Sequence, residues 1–326
     1  MRAIQIDRTG GAEVLQLRDL PTPEPGPGEA LIHIEACGVN FIDVYLREGR
    51  YASPLPFIPG QEAAGVVVAL GPEAAARVPS IQVGDRVAWC GVAGTYAQYA
   101  VAPVERLVAV PDGVTVRQAA AAMLQGMTAH YLAYATCAIQ KGDTVLVHAG
   151  AGGVGLLLIQ MAKRMGARVF TTVSTEEKAA LARAAGADEA ILYTREDFAA
   201  KLRALTDGVG VPVVYDSVGK TTFDGSLACL RPRGMLVLFG GSSGAVPPFD
   251  LIQLSARGSL FITRPTLKDY TETREELLRR AGDVLGWVAE GSLKLHLEHC
   301  YPLAEAAQAH RDLEARKTVG KVLLIP

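Results

Sequence analysis

Thr144-Val-Leu-Val-His148 runs directly into Ala149-Gly150-Ala-Gly152-Gly-Val-Gly155, and residues 156–165 follow with helical spacing. Thr144 to Val147 has the length and β-branched, apolar character of a fully buried strand. The glycines fall at G-x-G-x-x-G spacing between that strand and the helix. In such a setting one glycine permits the tight turn, one lets backbone approach a pyrophosphate, and one seats the helix on the strand. The helix N-terminus adds free N–H groups and the positive end of a dipole, both suited to phosphate. Gly150, Gly152, Gly153, Val154 and Gly155 are therefore candidate dinucleotide-binding residues.

Outward from this stretch the chain alternates strand and helix, with strands expected at 144–148, 168–173, 189–192, 213–216, 235–239 and 258–263. That rhythm implies a parallel sheet covered on both faces. Upstream, to about residue 111, short apolar runs at 30–34, 63–69, 86–89 and 96–101 are broken by Gly and Pro, as in an irregular β domain. The bend Pro21-Thr-Pro-Glu-Pro-Gly-Pro-Gly28 reads as a surface loop between strands. Helical spacing begins near Val116 and continues through 119–134. After the sixth parallel strand come helices at 273–290 and 303–316 and a terminal strand at 321–325. This tail is too small to fold alone and is expected to rejoin the N-terminal β domain. The doubly wound α/β domain then becomes an insertion, with a cleft between the two.

A chain of 326 residues, 49% hydrophobic and 20% charged, is long enough for two cores. A formal charge of −2 offers no basic field for nucleic acid, so a small-molecule partner is expected. The N-terminus lacks the apolar run of a signal peptide, and no stretch reaches membrane-spanning length. Five scattered cysteines, Cys37, Cys90, Cys137, Cys229 and Cys300, contain no C-x-x-C pair and fit a reducing cytoplasm.

An NAD site normally carries Asp or Glu at the end of the second strand, where it binds the ribose 2′-hydroxyl. Here that strand ends Thr172-Val-Ser174, without a carboxylate. Glu176 and Glu177 follow, but Ser174 and Glu177 stand at capping-box spacing, which accounts for them as helix-start residues. Lys178 lies in the first turn of the next helix, at the unfavourable end of its dipole, and an anionic neighbour explains it. A 2′-phosphate is such a neighbour, with Ser174 as hydroxyl donor. The cofactor expected is NADPH.

His148-Ala-Gly-Ala-Gly-Gly-Val-Gly155, Val214-Tyr-Asp-Ser-Val-Gly219, Phe239-Gly-Gly-Ser-Ser-Gly244 and Thr263-Arg-Pro265 resemble the quinone oxidoreductase (zeta-crystallin-like) branch of the medium-chain dehydrogenase/reductases. Cys37-Gly-Val-Asn-Phe-Ile-Asp43, Pro59-Gly-Gln-Glu-Ala-Ala-Gly65 and Val83-Gly-Asp-Arg-Val87 fit the same family's catalytic domain. The resemblance spans essentially the whole chain. It implies a GroES-like catalytic domain, residues 1–124 and 268–326, interrupted by a Rossmann domain, 125–267, and usually a homodimer. It also implies NADPH contacts from Ser174, Lys178 and Tyr193 at the 2′-phosphate, and from Ser217, Phe239, Gly240, Gly241 and Ser242 along the adenosine and pyrophosphate. Thr128, Tyr131, Thr263 and Arg264 are implied near the nicotinamide, with Arg316 from the last helix.

Zinc-dependent members of the superfamily draw catalytic ligands from positions that Asn40, Gln61 and Gln125 resemble here, and none of these amides is a good zinc ligand. The four-cysteine lobe of such relatives is missing as well. His296-Leu-Glu-His-Cys300 gathers three ligand types but reads as an incidental cluster at a strand edge. No metal is expected.

Without a Lewis acid, an alcohol is a poor hydride donor, whereas a quinone or an α,β-unsaturated carbonyl accepts hydride and delocalises the charge. The resemblance points to quinones. Asn40, Asp43, Tyr45 and Tyr51 are the candidate catalytic residues: Asn40 donating a hydrogen bond, Tyr45 or Tyr51 orienting or protonating the acceptor, and Asp43 holding the local helix. Asn40 and Asp43 also stand at Ncap and N3 spacing, so capping accounts for them equally well. Two other readings stay open: an enoyl or alkenal reductase of the same fold, and an NADPH-binding structural or RNA-binding crystallin-like protein.

Overall fold

The computed structural model describes residues 1–326. Its first part carries β1 (Arg2–Gln5), β2 (Gln16–Asp19), β3 (Glu29–Val39), α1 (Phe41–Arg47), β4 (Glu62–Leu70), α2 (Ala74–Arg77), β5 (Arg86–Cys90), β6 (Tyr99–Pro103), β7 (Val108–Ala109) and α3 (Val116–Tyr131). Strict alternation then begins with β8 (Thr144–Val147), α4 (Gly153–Arg164), β9 (Arg168–Val173), α5 (Glu176–Ala184), β10 (Glu189–Leu192) and α6 (Phe198–Leu205). It continues through β11 (Val211–Asp216), α7 (Phe223–Cys229), β12 (Leu230–Leu238), α8 (Ile252–Ala256) and β13 (Phe261–Thr263). The chain closes with α9 (Arg274–Ala289), β14 (His299–Pro302), α10 (Ala306–Glu314) and β15 (Val322–Ile325). Two units result: Met1–Met127 with Thr271–Pro326, and Thr128–Tyr270.

In the second unit the sheet order is β10-β9-β8-β11-β12-β13, and every pairing is parallel. β8 lies between β9 and β11, so the strand order reverses there, which is where open α/β sheets bind ligands. Burial on both sheet faces explains the nearly continuous apolar runs: Leu146, Phe170, Ile191, Val214 and Leu236 share one core with Leu202 and Leu227 of the covering helices. α4 buries Leu156 to Ile159, Met161 and Ala162, and the chain then reverses at Gly166, whose φ of +80° suits glycine.

The first unit is an antiparallel sheet, β15-β3-β4-β5-β7, with β6 also on β3 and β14 parallel to β15. Ile32, Ile34, Val67, Trp89 and Tyr96 form its core together with Leu303, Ala306 and Val322 from the C-terminal tail. The terminal strand thus does return to the N-terminal domain. Val322 pairs with Val39, which sets Lys321 beside Asn40 at the open end of the ladder.

Candidate functional site

Because the strands of the second unit are parallel, the segments leaving their C-terminal ends share one edge: Ala149 to Gly155, Ser174, Tyr193, Ser217, Phe239 to Ser242, and Arg264. The glycine turn is compact. Gly150 N–H donates to Thr172 O at 3.1 Å and Gly152 N–H to Ala149 O at 2.9 Å, while Ala149 takes a left-handed φ of +54°. A Cβ at residue 150 would collide with Thr171 Oγ1, and one at residue 155 with Ala149 O and Gly150 Cα. Those two glycines are therefore required by packing. α4 starts at Gly153 with Gly152 as an N-cap that offers no side chain, so the first-turn N–H groups have no helical acceptor and suit phosphate oxygen.

The turn is tied to the sheet by a buried polar chain. Ser226 Oγ donates to Asp216 Oδ2 at 2.8 Å, so its oxygen accepts from His148 Nε2–H at 3.0 Å, and His148 Nδ1 accepts from the Thr172 hydroxyl at 2.8 Å. Burial holds the His148 pKa down, so the ring is neutral, against the pull of Asp216. Asp216 also accepts from the backbone N–H groups of Val218 and Gly219 at 2.7 and 3.0 Å. Ser242 N–H donates to Ser217 O at 3.2 Å, and a Cβ at Gly240 would collide with Ser217 backbone, so the loops after β11 and β12 pack main chain to main chain.

At the end of β9 the N-cap of α5 is Thr175, not Ser174: Thr175 Oγ1 accepts from Lys178 N–H at 3.3 Å. The expected capping box was displaced by one residue because the strand runs on to Val173 and Ser174 is still a connecting residue. This frees the Ser174 hydroxyl from capping. Leu192 pairs with Val173, so Tyr193 leaves the sheet next to Ser174, and Thr194 Oγ1 ties the two segments by donating to Ser174 O at 2.9 Å. Elsewhere in this unit Arg264 donates to Leu238 O at 2.8 Å. Tyr131 is stacked on Tyr270, with ring centroids 4.3 Å apart, and Thr128 is buried on the same helix. Thr263 ends β13.

In the first unit, Asn40 and Asp43 make the carboxylate half of a capping box at the start of α1: Asn40 N–H donates to Asp43 Oδ2 at 2.8 Å, while Asp43 N–H donates to the main-chain O of Asn40 at 3.0 Å. The Asn40 side chain is spent inside the protein. Its Nδ2 donates to Glu62 Oε1 at 2.9 Å and to Gly38 O at 3.4 Å, and its Oδ1 accepts from Lys321 Nζ at 3.0 Å and Gln125 Nε2 at 3.3 Å. The expectation that Asn40 donates to an acceptor is therefore corrected: all four of its hydrogen-bonding positions are filled by partners that pin β15, β4 and α3 to β3. Zinc does not fit here either, since the one oxygen Asn40 offers already faces an ammonium. No group of three or more His, Cys, Asp or Glu side chains is gathered to hold a metal.

Asp43 opens a second buried chain. Its Oδ2 accepts from Tyr96 OH at 3.0 Å; Tyr96 accepts from His310 Nε2–H at 3.0 Å; and His310 Nδ1 accepts from Arg47 at 3.2 Å. Arg47 has no lone pair to offer, so the direction of every bond is set. Arg47 also grips Glu314 through two 2.9 Å bonds, joining α1 to α10. Burial, with Arg47 alongside, lowers the His310 pKa to about 3. Burial likewise raises Asp43 to about 7, against its bonds from Asn40 and Tyr96, and Asp43 Oδ1 has no partner. α1 carries Tyr45 inward while Tyr51, just beyond it, is 44% exposed; the two rings meet edge to face at 5.8 Å. Arg316 is not in the last helix: α10 ends at Glu314, and Arg316 is an exposed residue at φ +58° beyond it.

Glu62, Lys321, Tyr96, His310 and Arg47 were not among the expected site residues. Glu62 gave one usable signal: a carboxylate opening the otherwise apolar strand Glu62-Ala-Ala-Gly-Val-Val-Val has to find a buried partner.

The alcohol dehydrogenase GroES-like domain family matches residues 26–112, and the zinc-binding dehydrogenase family matches residues 153–279. A quinone oxidoreductase from Pseudomonas aeruginosa is 47% identical, over 100% of this chain and 99% of that protein. A 2-haloacrylate reductase from a Burkholderia species is 41% identical, over 99% and 98%. A mycobacterial protein solved in complex with NADPH superposes with a TM-score of 0.97 at 51% identity, covering 100% of both chains. The chain is an oxidoreductase and belongs to the quinone oxidoreductase branch of the medium-chain dehydrogenase/reductase superfamily.

Proposed function

We propose that this chain uses NADPH to reduce quinones. The observation that carries the reading is the end of β9, where Ser174 and Lys178 stand in place of the carboxylate of an NAD site and Tyr193 emerges alongside. The NADPH complex of the mycobacterial relative supports the same cofactor. The uncapped N-terminus of α4 holds the pyrophosphate; Ser217 and Phe239 to Ser242 line the adenosine side; Thr128, Tyr131, Thr263 and Arg264 serve the nicotinamide end. When bound, NADPH supplies two electrons and a proton as hydride. The protein's own part is to orient the acceptor, exclude water and deliver a proton from Tyr51, with Tyr45 packed behind it.

The quinone oxidoreductase relatives favour a quinone acceptor, and the 2-haloacrylate reductase favours a second reading, reduction of an activated carbon–carbon double bond. We place the protein in the cytoplasm as a homodimer. The edge strand β13, with Phe261, Leu251 and Ile252 exposed around it, supports self-association. NADPH oxidation with 1,4-naphthoquinone, a 2-enoyl thioester and 2-chloroacrylate tests the acceptor. The quinone is expected to give a kcat/KM at least about tenfold above the others, a difference of about 1.4 kcal/mol in transition-state binding. Faster turnover of either alkene moves the assignment to the second reading, and tight NADPH binding with no turnover at all points to a binding protein.

A further inference from the structure

Lys321 and Glu62 form an ion pair inside the first unit, with side chains 3% and 0% exposed. Isolated burial of either charge is expensive, and the pair fully matches its surroundings. Glu62 Oε2 accepts from Leu124 N–H of α3 at 2.6 Å, and Oε1 accepts from both Lys321 and Asn40. Gly38 makes the space: a Cβ there would overlap Glu62 Oε1 and Lys321 Nζ. Burial draws the Lys321 ammonium below the ordinary lysine range, and the nearby Asp43 and Cys37 resist that shift.

The two ends of this cluster are chemically one-sided. An ammonium only donates and a carboxylate only accepts, so the amide of Asn40 between them has one permitted orientation, oxygen toward Lys321 and nitrogen toward Glu62. The Asn40 oxygen in turn admits only a donor from Gln125, which turns the Gln125 nitrogen toward it at 3.3 Å. Orientation is passed from a buried charge pair through one amide to a second. Gln125 is half-buried and ends the chain: its second Nε2–H and its Oε1 make no hydrogen bond within the protein. It is the member of the cluster with polar groups left to offer.

We propose that Gln125 donates this remaining N–H to the carbonyl oxygen of the acceptor, and that Lys321 and Glu62 are positioning residues that set which face of the Gln125 amide is presented. This rests on the reading that the chain reduces quinones. A carbonyl oxygen accepts a hydrogen bond from the moment the acceptor binds, so a donor held in advance contributes to binding of the acceptor itself. A cluster whose only task is to pin β15 and α3 to β3 gives a different pattern under substitution.

The test is steady-state kinetics with 1,4-naphthoquinone, together with NADPH Kd by fluorescence. Gln125→Leu is expected to raise the quinone KM about tenfold, the worth of one hydrogen bond, with NADPH Kd unchanged. The neutral double variant Glu62→Gln/Lys321→Gln keeps hydrogen-bonding groups without leaving a lone buried charge, but lets the Asn40 amide flip. It is expected to raise KM by a similar factor, and adding Gln125→Leu to it is expected to change little more. A quinone KM within about twofold of wild type in Gln125→Leu overturns the inference, as does full additivity of the two changes. Wild-type protein that turns over no quinone overturns the underlying reading and the inference with it.

Discussion

At the parallel sheet's edge, the groups ready for a ligand are main-chain N–H donors at Gly153 to Gly155, framed by glycines at 150, 152, 219 and 240. In the antiparallel unit the group with hydrogen bonds left to offer is a side chain, Gln125 of α3, held in place through Asn40, Glu62 and Lys321 from β3, β4 and the approach to β15. A backbone site depends on what is missing at each position. A side-chain site depends on what is present, and on every partner being satisfied. Two histidines show the same contrast. His148 is held neutral among hydroxyls and a carboxylate beside the glycine turn, whereas His310 is held neutral against a guanidinium in a chain that runs from Glu314 to Asp43.

The difference can be broken most forcefully at Arg47. Arg47→Met leaves His310 Nδ1 and Gly10 O without their donor and releases Glu314, so a loss of about 3 kcal/mol in denaturant-measured stability is expected. Because the lost contacts all lie in the first unit, NADPH Kd is expected to hold in whatever protein remains folded.

The next effect is on pH dependence. Asp43 binds its proton more tightly folded, at about 7, than its ordinary 3.8, so it makes stability fall as pH rises between those values. His310 releases its proton in the fold, about 3 against 6.5, so it makes stability rise over nearly the same range. The two slopes oppose one another, and wild-type stability is expected to be shallow between pH 4 and 6.5. Asp43→Asn keeps the Oδ2-type acceptor for Asn40 and Tyr96 and removes one slope. Its stability is expected to climb with pH over that range, by on the order of 2 kcal/mol relative to wild type. Parallel curves for the two proteins would contradict the buried chain.

In the parallel unit the sensitive change is an addition. Gly150→Val drives a side chain into Thr171 and is expected to cost about 1–3 kcal/mol and to abolish measurable NADPH binding. The smallest expected effect is that of Tyr51→Phe, which leaves NADPH Kd and stability near wild type and lowers quinone kcat by at least about tenfold if Tyr51 delivers the proton. Full activity in that variant removes Tyr51 from the mechanism.

The same contrast explains what the sequence made legible. β9 and β10 have the bounds expected from their patterns, and the glycine turn follows from spacing over a dozen residues. β13 begins at Phe261 and not at residue 258, because Gly258 and Ser259 take φ values of +106° and +57° that no strand allows. Three of the four partners of the Asn40 side chain lie 22, 85 and 281 residues away, beyond the reach of any local period, and only the closing of β15 on β3 brings Lys321 to it. Ser174 was misread as a cap because Thr175 beside it serves equally well chemically. Arg316 was misread as helical because nothing in the sequence marks the left-handed turn after Glu314.

We propose that the end of β9 receives a 2′-phosphate. The direct measurement is kcat/KM for NADPH and NADH with 1,4-naphthoquinone, in wild-type protein and in Lys178→Glu. A preference for NADPH is expected in the wild type, falling by at least about tenfold in the variant through KM for NADPH, since an ion pair with phosphate is replaced by like-charge repulsion. Equal use of both cofactors by the wild type, unchanged in Lys178→Glu, would contradict it.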